Sequence, residues 1–162
     1  MGKDVLISIL NFLKERDVDF VHLTHDHVHS SKDAALVRGN SVEQAAKAIV
    51  LKCKNKSGVY EFVQYVVSGH RKIDFKSFRK VFGFKSVSLA SPEEVLDLTG
   101  CVIGSVPPIG PFFGLKSFLD VSILDNEYIF FSAGTHNDSV KIKSSDFKNL
   151  FDFEIVSLSV LI

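Results

Sequence analysis

The sequence has no tryptophan, one methionine, two cysteines and four prolines among 162 residues. Cys53 and Cys101 lie far apart, so there is no C-x-x-C pair and no disulfide framework. Net charge is also missing, because 19 Lys and Arg balance 19 Asp and Glu. That excludes a binder using its whole surface as a polyelectrolyte; any nucleic-acid contact must come from a local patch. The uncharged stretch Cys101 to Leu115 contains three prolines and three glycines and cannot be a spanning helix. Met1-Gly2-Lys3-Asp4 leads into an amphipathic pattern rather than an apolar signal core. These absences point to a reduced, cytoplasmic protein without a membrane segment.

What is present fits a globular core. The hydrophobic fraction is 46% and the charged fraction 23%, which excludes disorder, collagen and coiled coil. A chain of this length buries roughly 70% of its unfolded surface. We therefore expect one domain over residues 1–162.

Leu6, Ile9, Leu10 and Leu13 follow a helical period, with Asp4 as N-cap. Asp17 to Leu23 reads as a strand. Ser30-x-x-Asp33 opens a short helix ending at Gly39, and Ser41-x-x-Gln44 is a second capping signal. Ala46 to Lys52 and Val59 to Val67 form a hairpin around Asn55-Lys56-Ser57-Gly58. Asp74 caps a helix with Phe75, Phe78 and Phe82 on one face, closed by Gly83. Val87 and Leu89 mark a short strand. Ser91-Pro92-Glu93-Glu94 starts a helix that stops at Gly100. Residues 104–114 form a Gly/Pro loop. Ser117 to Leu124 and Glu127 to Ala133 read as strands around Asp125-Asn126. After a turn at Gly134 to Asp138 comes a strand, Ser139 to Lys143. Ser145 or Asp146 caps a last helix, and Phe153 to Leu158 closes the chain. Strands and short helices alternate without a regular βαβ rhythm. The expected fold is a mixed α/β (α+β) domain on one strongly curved, barrel-like sheet with flanking short helices.

Four features carry possible chemistry. On the strand, Lys47 shares parity with Ile49, Leu51 and Cys53, which places its ammonium at the inward mouth. There it wants an anionic or polar partner; the plain alternative is a snorkelling lysine. Gly104-Ser105-Val106-Pro107-Pro108-Ile109-Gly110-Pro111 is a stiff loop able to aim backbone groups at a ligand, or simply a surface connection. Ser132-Ala133-Gly134-Thr135-His136-Asn137-Asp138 places a histidine at a turn, to orient a substrate or as an ordinary turn residue. The segment 70–85 carries Arg71, Lys72, Lys76, Arg79, Lys80 and Lys85 against Asp74, a candidate phosphate-binding patch or a solvated helix face. His22, His25, His27 and His29 cluster without a matching ligand set elsewhere, so the expectation is no metal. Cys53 packs on the apolar face.

Three segments together resemble the YbaK/prolyl-tRNA-synthetase-associated editing domains. They are Ala46-Lys47-Ala48-Ile49-Val50-Leu51-Lys52; Leu89 to Val95 continuing through Leu98-Thr99-Gly100 to Gly104-Ser105-Val106-Pro107-Pro108; and Ser132 to Asn137. His25 to Ala35 is similar to the family's leading loop and small-residue helix. The resemblance implies a compact barrel-like mixed sheet and hydrolysis of the ester of a mischarged tRNA, acting in trans, without metal or cofactor. It implies that Lys47 holds the terminal adenosine. Gly104, Ser105, Val106, Pro107 and Pro108 would orient the ester and water, with help from the substrate's ribose hydroxyl. His136, with Gly134, Thr135 and Asn137, would shape the amino-acid pocket. The implied partners are the tRNA acceptor end and an aminoacyl-tRNA synthetase. Ala48 stands where the family often has threonine, and Ser105 where a second glycine is common; both bear on specificity. The competing readings are a non-catalytic tRNA- or protein-binding module of the same fold, and a metal hydrolase built on the histidines.

Overall fold

The computed structural model describes residues 2–28 and 30–162. Its helices are α1 (Gly2–Glu15), α2 (Ser31–Arg38), α3 (Phe75–Phe82), α4 (Pro92–Thr99) and α5 (Ser144–Lys148). Its strands are β1 (Phe20–Thr24), β2 (Ala46–Lys54), β3 (Tyr60–Ser68), β4 (Arg71–Ile73), β5 (Ser86–Leu89), β6 (Lys116–Asp120), β7 (Tyr128–Ser132), β8 (Asp138–Lys143), β9 (Glu154–Val156) and β10 (Ser159–Leu161).

The mixed α+β class holds, but the strands form three sheets rather than one. A five-stranded sheet runs β5-β2-β3-β6-β9, a three-stranded sheet runs β1-β8-β7, and β10 pairs with β4. A parallel bridge between Ala45 and Phe130 joins the two larger sheets, so the surface curves from one into the other.

Several elements depart from the pattern expected of the sequence. α1 starts at Gly2, so Asp4 sits inside the first turn, where its charge suits the helix dipole. Asp17 takes a left-handed φ of 55° after α1 and delays β1 to Phe20. The strand expected from 117 to 124 stops at Asp120, whose buried carboxylate accepts from the Ser122 N–H and turns the chain into a 3₁₀ segment. β6 and β7 consequently lie in different sheets and make no hairpin. The closing strand expected from Phe153 to Leu158 is confined to Glu154–Val156, and a further strand follows it at Ser159–Leu161. β9 runs parallel to β6 and β10 antiparallel to β4, with Leu158 between them held by the Tyr65 hydroxyl. α5 opens two or three residues earlier than expected, with Lys143 rather than Ser145 or Asp146 at the cap position; Ser144 anchors the turn by donating to the Asn126 carbonyl. The capping signals at Ser30, Asp74 and Ser91 all operate, each side chain accepting from the third following N–H.

Both faces of β2 are covered, as in a central strand. Leu51 and Cys53 pack with Tyr65, Phe78 and Phe118. Val50 and Ala48 pack with Val95, Cys101 and Val106. The face holding Ala48 and Val50 is thus closed by α4 and the 104–110 loop.

Candidate active site

β3 runs beside the whole of β2, from Ala46 to Lys54, but β5 pairs only with Leu51 to Lys54. The first half of β2 therefore keeps a free edge. A cavity of about 510 Å³ opens there, within the usual range for small-molecule sites. Lys47, Gly104 and Val106 line it, together with Arg38, Lys32 and Phe130. Among its described lining residues there is no Asp, Glu, His or Cys.

Lys47 is half-buried, and burial pulls its ammonium below the usual lysine range. Its Nζ donates to the Arg71 carbonyl at 2.6 Å. Arg71 is itself fixed: its guanidinium donates to Ser159 Oγ and to the Ser159 carbonyl. Ser159 Oγ donates onward to Asp120, which also accepts from the Tyr65 hydroxyl in the core. A polar chain thus runs from the buried Tyr65–Asp120 pair to the ammonium at the cavity.

The loop is held from behind. Gln64, fully buried on β3, donates from Nε2 to the Pro107 carbonyl at 3.0 Å and accepts from the Gly110 N–H at 2.8 Å. A side chain at Gly110 would collide with Ser117 Oγ, so this approach requires glycine. Gly104 has a left-handed φ of 89°, which turns the chain into the cavity wall. Ser105 is buried, and both its hydroxyl and its N–H donate to the Val102 carbonyl. Its own carbonyl accepts from Gly134 N–H, joining the loop to the 134–137 turn. Pro107 and Pro108 lie buried behind the wall.

The 132–138 turn reaches the cavity through Ser132; Gly134, Thr135, His136 and Asn137 are not among its lining residues. His136 instead braces two neighbours. Its Nε2 lies 3.2 Å from the Ile103 carbonyl and its Nδ1 2.6 Å from His27 Nε2. Asn137 exchanges bonds with His25, and Thr135 donates to Asp138. His25 and His27 lie beyond the end of β1, and His29 is outside the described residues. Among the described residues no three His, Cys, Asp or Glu side chains converge as a metal set.

The basic segment divides. Arg71 is built into the polar chain behind Lys47. Lys72, Lys76, Arg79 and Lys80 lie outside the cavity lining, the last three on α3, whose Phe78 packs into the core. The cysteines are buried, and desolvation pushes the Cys53 thiol up to about 12 and the Cys101 thiol up to about 11. Neither is a thiolate at neutral pH.

Sequence reasoning missed two residues. Gln64 had a signal: an amide in the middle of an otherwise apolar strand must find partners if buried. Arg38 had none, because a basic residue in the last turn of a short helix is ordinary.

Comparison with known proteins places the chain in a family. Residues 25–150 match the aminoacyl-tRNA editing domain family. The multifunctional Ser/Thr-tRNA deacylase ProXp-y of Escherichia coli strain K12 is 32% identical over 150 residues, covering 92% of this chain and 89% of that protein. The proline–tRNA ligase of Staphylococcus saprophyticus is 25% identical over 131 residues, 80% of this chain but 21% of the ligase. A solved structure of a proposed trans-editing enzyme for prolyl-tRNA synthetase superposes with a TM-score of 0.78 at 25% identity, covering 96% of this chain and 97% of that one. The chain belongs to the aminoacyl-tRNA editing domain family. Among the described residues no helix is long and apolar enough to cross a membrane.

Proposed function

We propose that this protein hydrolyses the ester linking a wrong amino acid to the 3′ end of tRNA, acting in trans as a free-standing deacylase. The observation that carries the reading is the cavity at the free edge of β2. It brings the ammonium of Lys47 and the wall of the 104–106 loop to one enclosed space, with family membership as the background. Water adds to the ester carbonyl carbon, the bond to the ribose oxygen breaks, and the free amino acid and the tRNA hydroxyl leave. Lys47 supplies a charge-assisted donor that holds the terminal nucleotide. The wall at Gly104 and Val106 presents main chain to the ester, and Gln64 fixes that wall from behind. No side chain among the described lining residues pairs a nucleophile with a base. In this reading proton transfer falls to the substrate's ribose hydroxyl and to water. Gly134, Thr135, His136 and Asn137 act on the amino-acid pocket indirectly, by bracing Ile103 and the 105 carbonyl.

The first substrates to test are seryl and threonyl esters, since the Escherichia coli relative is named for them. The basic face of Lys72, Lys76, Arg79 and Lys80 is the proposed contact for the tRNA body. A synthetase is a further partner, because the relatives include prolyl-tRNA ligases. A deacylation panel of seryl-, threonyl-, alanyl- and cysteinyl-tRNA decides the reading. Release of at least one amino acid, strongly slowed in Lys47→Ala, is expected. Binding of charged tRNA without release from any of them leaves the non-catalytic module instead.

A further inference from the structure

The cavity has an unequal charge balance. Three cations line it, Lys32, Lys47 and Arg38, and none of its described lining residues is acidic. Arg38 is the most constrained of the three. Its Nε donates to Asn40 Oδ1 at 3.0 Å and its Nη1 to Ser139 Oγ at 3.2 Å. Ser139 can then pass its own proton to His25 Nε2, 2.7 Å away, while His25 Nδ1 lies 2.8 Å from the Asp26 carbonyl. The guanidinium also sits over the Phe130 ring, 5.6 Å from its centroid. The groups that touch Arg38 itself, Asn40, Ser139 and the Phe130 ring, carry no charge. Among the described residues no carboxylate forms an ion pair with Arg38. Burial lowers its pKa to about 10, which still leaves it charged at neutral pH.

A partly buried, pre-oriented guanidinium without a counter-ion is costly to maintain in an empty site and is stabilised by an incoming anion. Two of its five N–H groups are used, and the remaining N–H groups match the bidentate geometry that phosphate oxygens favour. We propose that Arg38 reads a phosphate: it takes the 5′-phosphate group of the nucleotide seated in the cavity that Lys47 also lines. This rests on the reading that the cavity holds the 3′-terminal nucleotide of tRNA. It assigns the path of the chain entering the site to the α2 side. α3 is then left to contacts farther along the tRNA.

The test compares adenosine 5′-monophosphate with adenosine, by titration calorimetry and by the side-chain ¹⁵Nε resonance of Arg38. The wild type should bind the monophosphate about tenfold to a hundredfold more tightly than adenosine, the scale of a charge-assisted contact. Arg38→Gln should bring that ratio close to one with adenosine affinity unchanged, and Arg38→Lys should restore only part of it. In the wild type the Arg38 resonance should move with the monophosphate and stay put with adenosine. That measurement stands even if the variants fold poorly. Equal affinities in the wild type, no measurable binding of the monophosphate, a ratio that survives in a folded Arg38→Gln, or a silent resonance each overturns the proposal. So does inorganic phosphate that moves the resonance at the same concentration as the monophosphate, since the site would then read a free ion. The phosphate preference without any deacylation would remove the deacylase reading and leave Arg38 in place. Deacylation without the preference would do the reverse.

Discussion

The two halves of β2 are built from one continuous strand and do opposite things. From Leu51 to Lys54 the strand is hydrogen-bonded on both edges, to β3 and to β5. From Ala46 to Ile49 it is bonded to β3 alone, because β5 ends its pairing opposite Leu51. The last link is Ala90 N–H donating to the Val50 carbonyl. The doubly paired half carries fully buried Leu51 and Cys53. The singly paired half carries Lys47, Ala48 and Ile49, all partly accessible. One half is a fixed beam and the other is its projecting end, so the side chains at that end are held in register while their outer edge stays open to a ligand. Substitutions should separate accordingly: stability effects past residue 50, activity effects before it.

The largest expected effect is in the beam. Leu51→Ala leaves a hole beside Tyr65 and Phe78 and should cost about 2–5 kcal/mol of stability. Thermal or denaturant unfolding measures it. The folded fraction should retain deacylation, since Leu51 does not line the cavity. A variant of normal stability would show that this half is not what holds the strand.

Lys47→Ala is the converse. Losing a charge-assisted contact of roughly 1.5–3 kcal/mol lowers kcat/KM by about ten- to more than a hundredfold. The melting temperature should move little, because water can reach the half-buried Arg71 carbonyl that Lys47 leaves. Lys47→Arg should rescue only in part, as a planar fork does not replace a compact ammonium. Near-normal turnover in Lys47→Ala would make the residue a structural prop.

Gln64→Leu tests whether the wall depends on its backing. The change keeps the volume but strands the Gly110 N–H in the core, at about 1–3 kcal/mol. If Gln64 positions the loop, kcat should fall while KM stays close to normal, because the substrate still meets Lys47. A loss of stability with unchanged kcat would reduce Gln64 to a core residue.

Most helices and the β2–β3 hairpin were legible in the sequence because their signals are local. Ser30, Asp74 and Ser91 cap where their side chains say they should, and Gly39, Gly83 and Gly100 close the same helices in the left-handed region. What failed was non-local. Nothing in Ser117 to Leu124 states that Asp120 will be pulled inward by Tyr65 and Ser159, residues 55 and 39 positions away. The stop of the closing strand at Val156, with residues 159–161 pairing in another sheet, has the same origin. At the site, Lys47 and the 104–106 loop were legible, since a lysine on an apolar strand and a Gly/Pro run are each unusual. Arg38 and the bracing role of His136 were not, because both depend on β8 and the 25–28 segment meeting in space.

The smallest expected effect lies on the outer face of the beam. Lys52 Nζ sits 2.8 Å from Glu94 Oε2, each side chain about a third exposed. Glu94 also accepts from the Ser91 N–H as part of the cap on α4. Lys52 and then the Ser91 N–H hold the Glu94 carboxyl below its usual range, and the bond to Glu94 raises Lys52 above its own. The signs follow directly. A carboxyl with a depressed folded pKa contributes stability above its unfolded pKa and loses it as pH falls through the folded one. A raised lysine contributes fully below its unfolded pKa and loses it as pH rises through the folded one. The pair therefore acts across the neutral range and fades at both extremes. Water and salt screen it throughout. A double-mutant cycle of Lys52→Met and Glu94→Gln should show a small coupling at pH 7 that shrinks in high salt and disappears in acid. Glu94→Gln alone should do little to the cap, because the amide oxygen can still accept from Ser91. A coupling that persists in acid would mean that Lys52 and Glu94 interact through packing rather than charge. The open half of β2 should not sense any of these changes: deacylation by each variant should match the wild type, as neither residue lines the cavity.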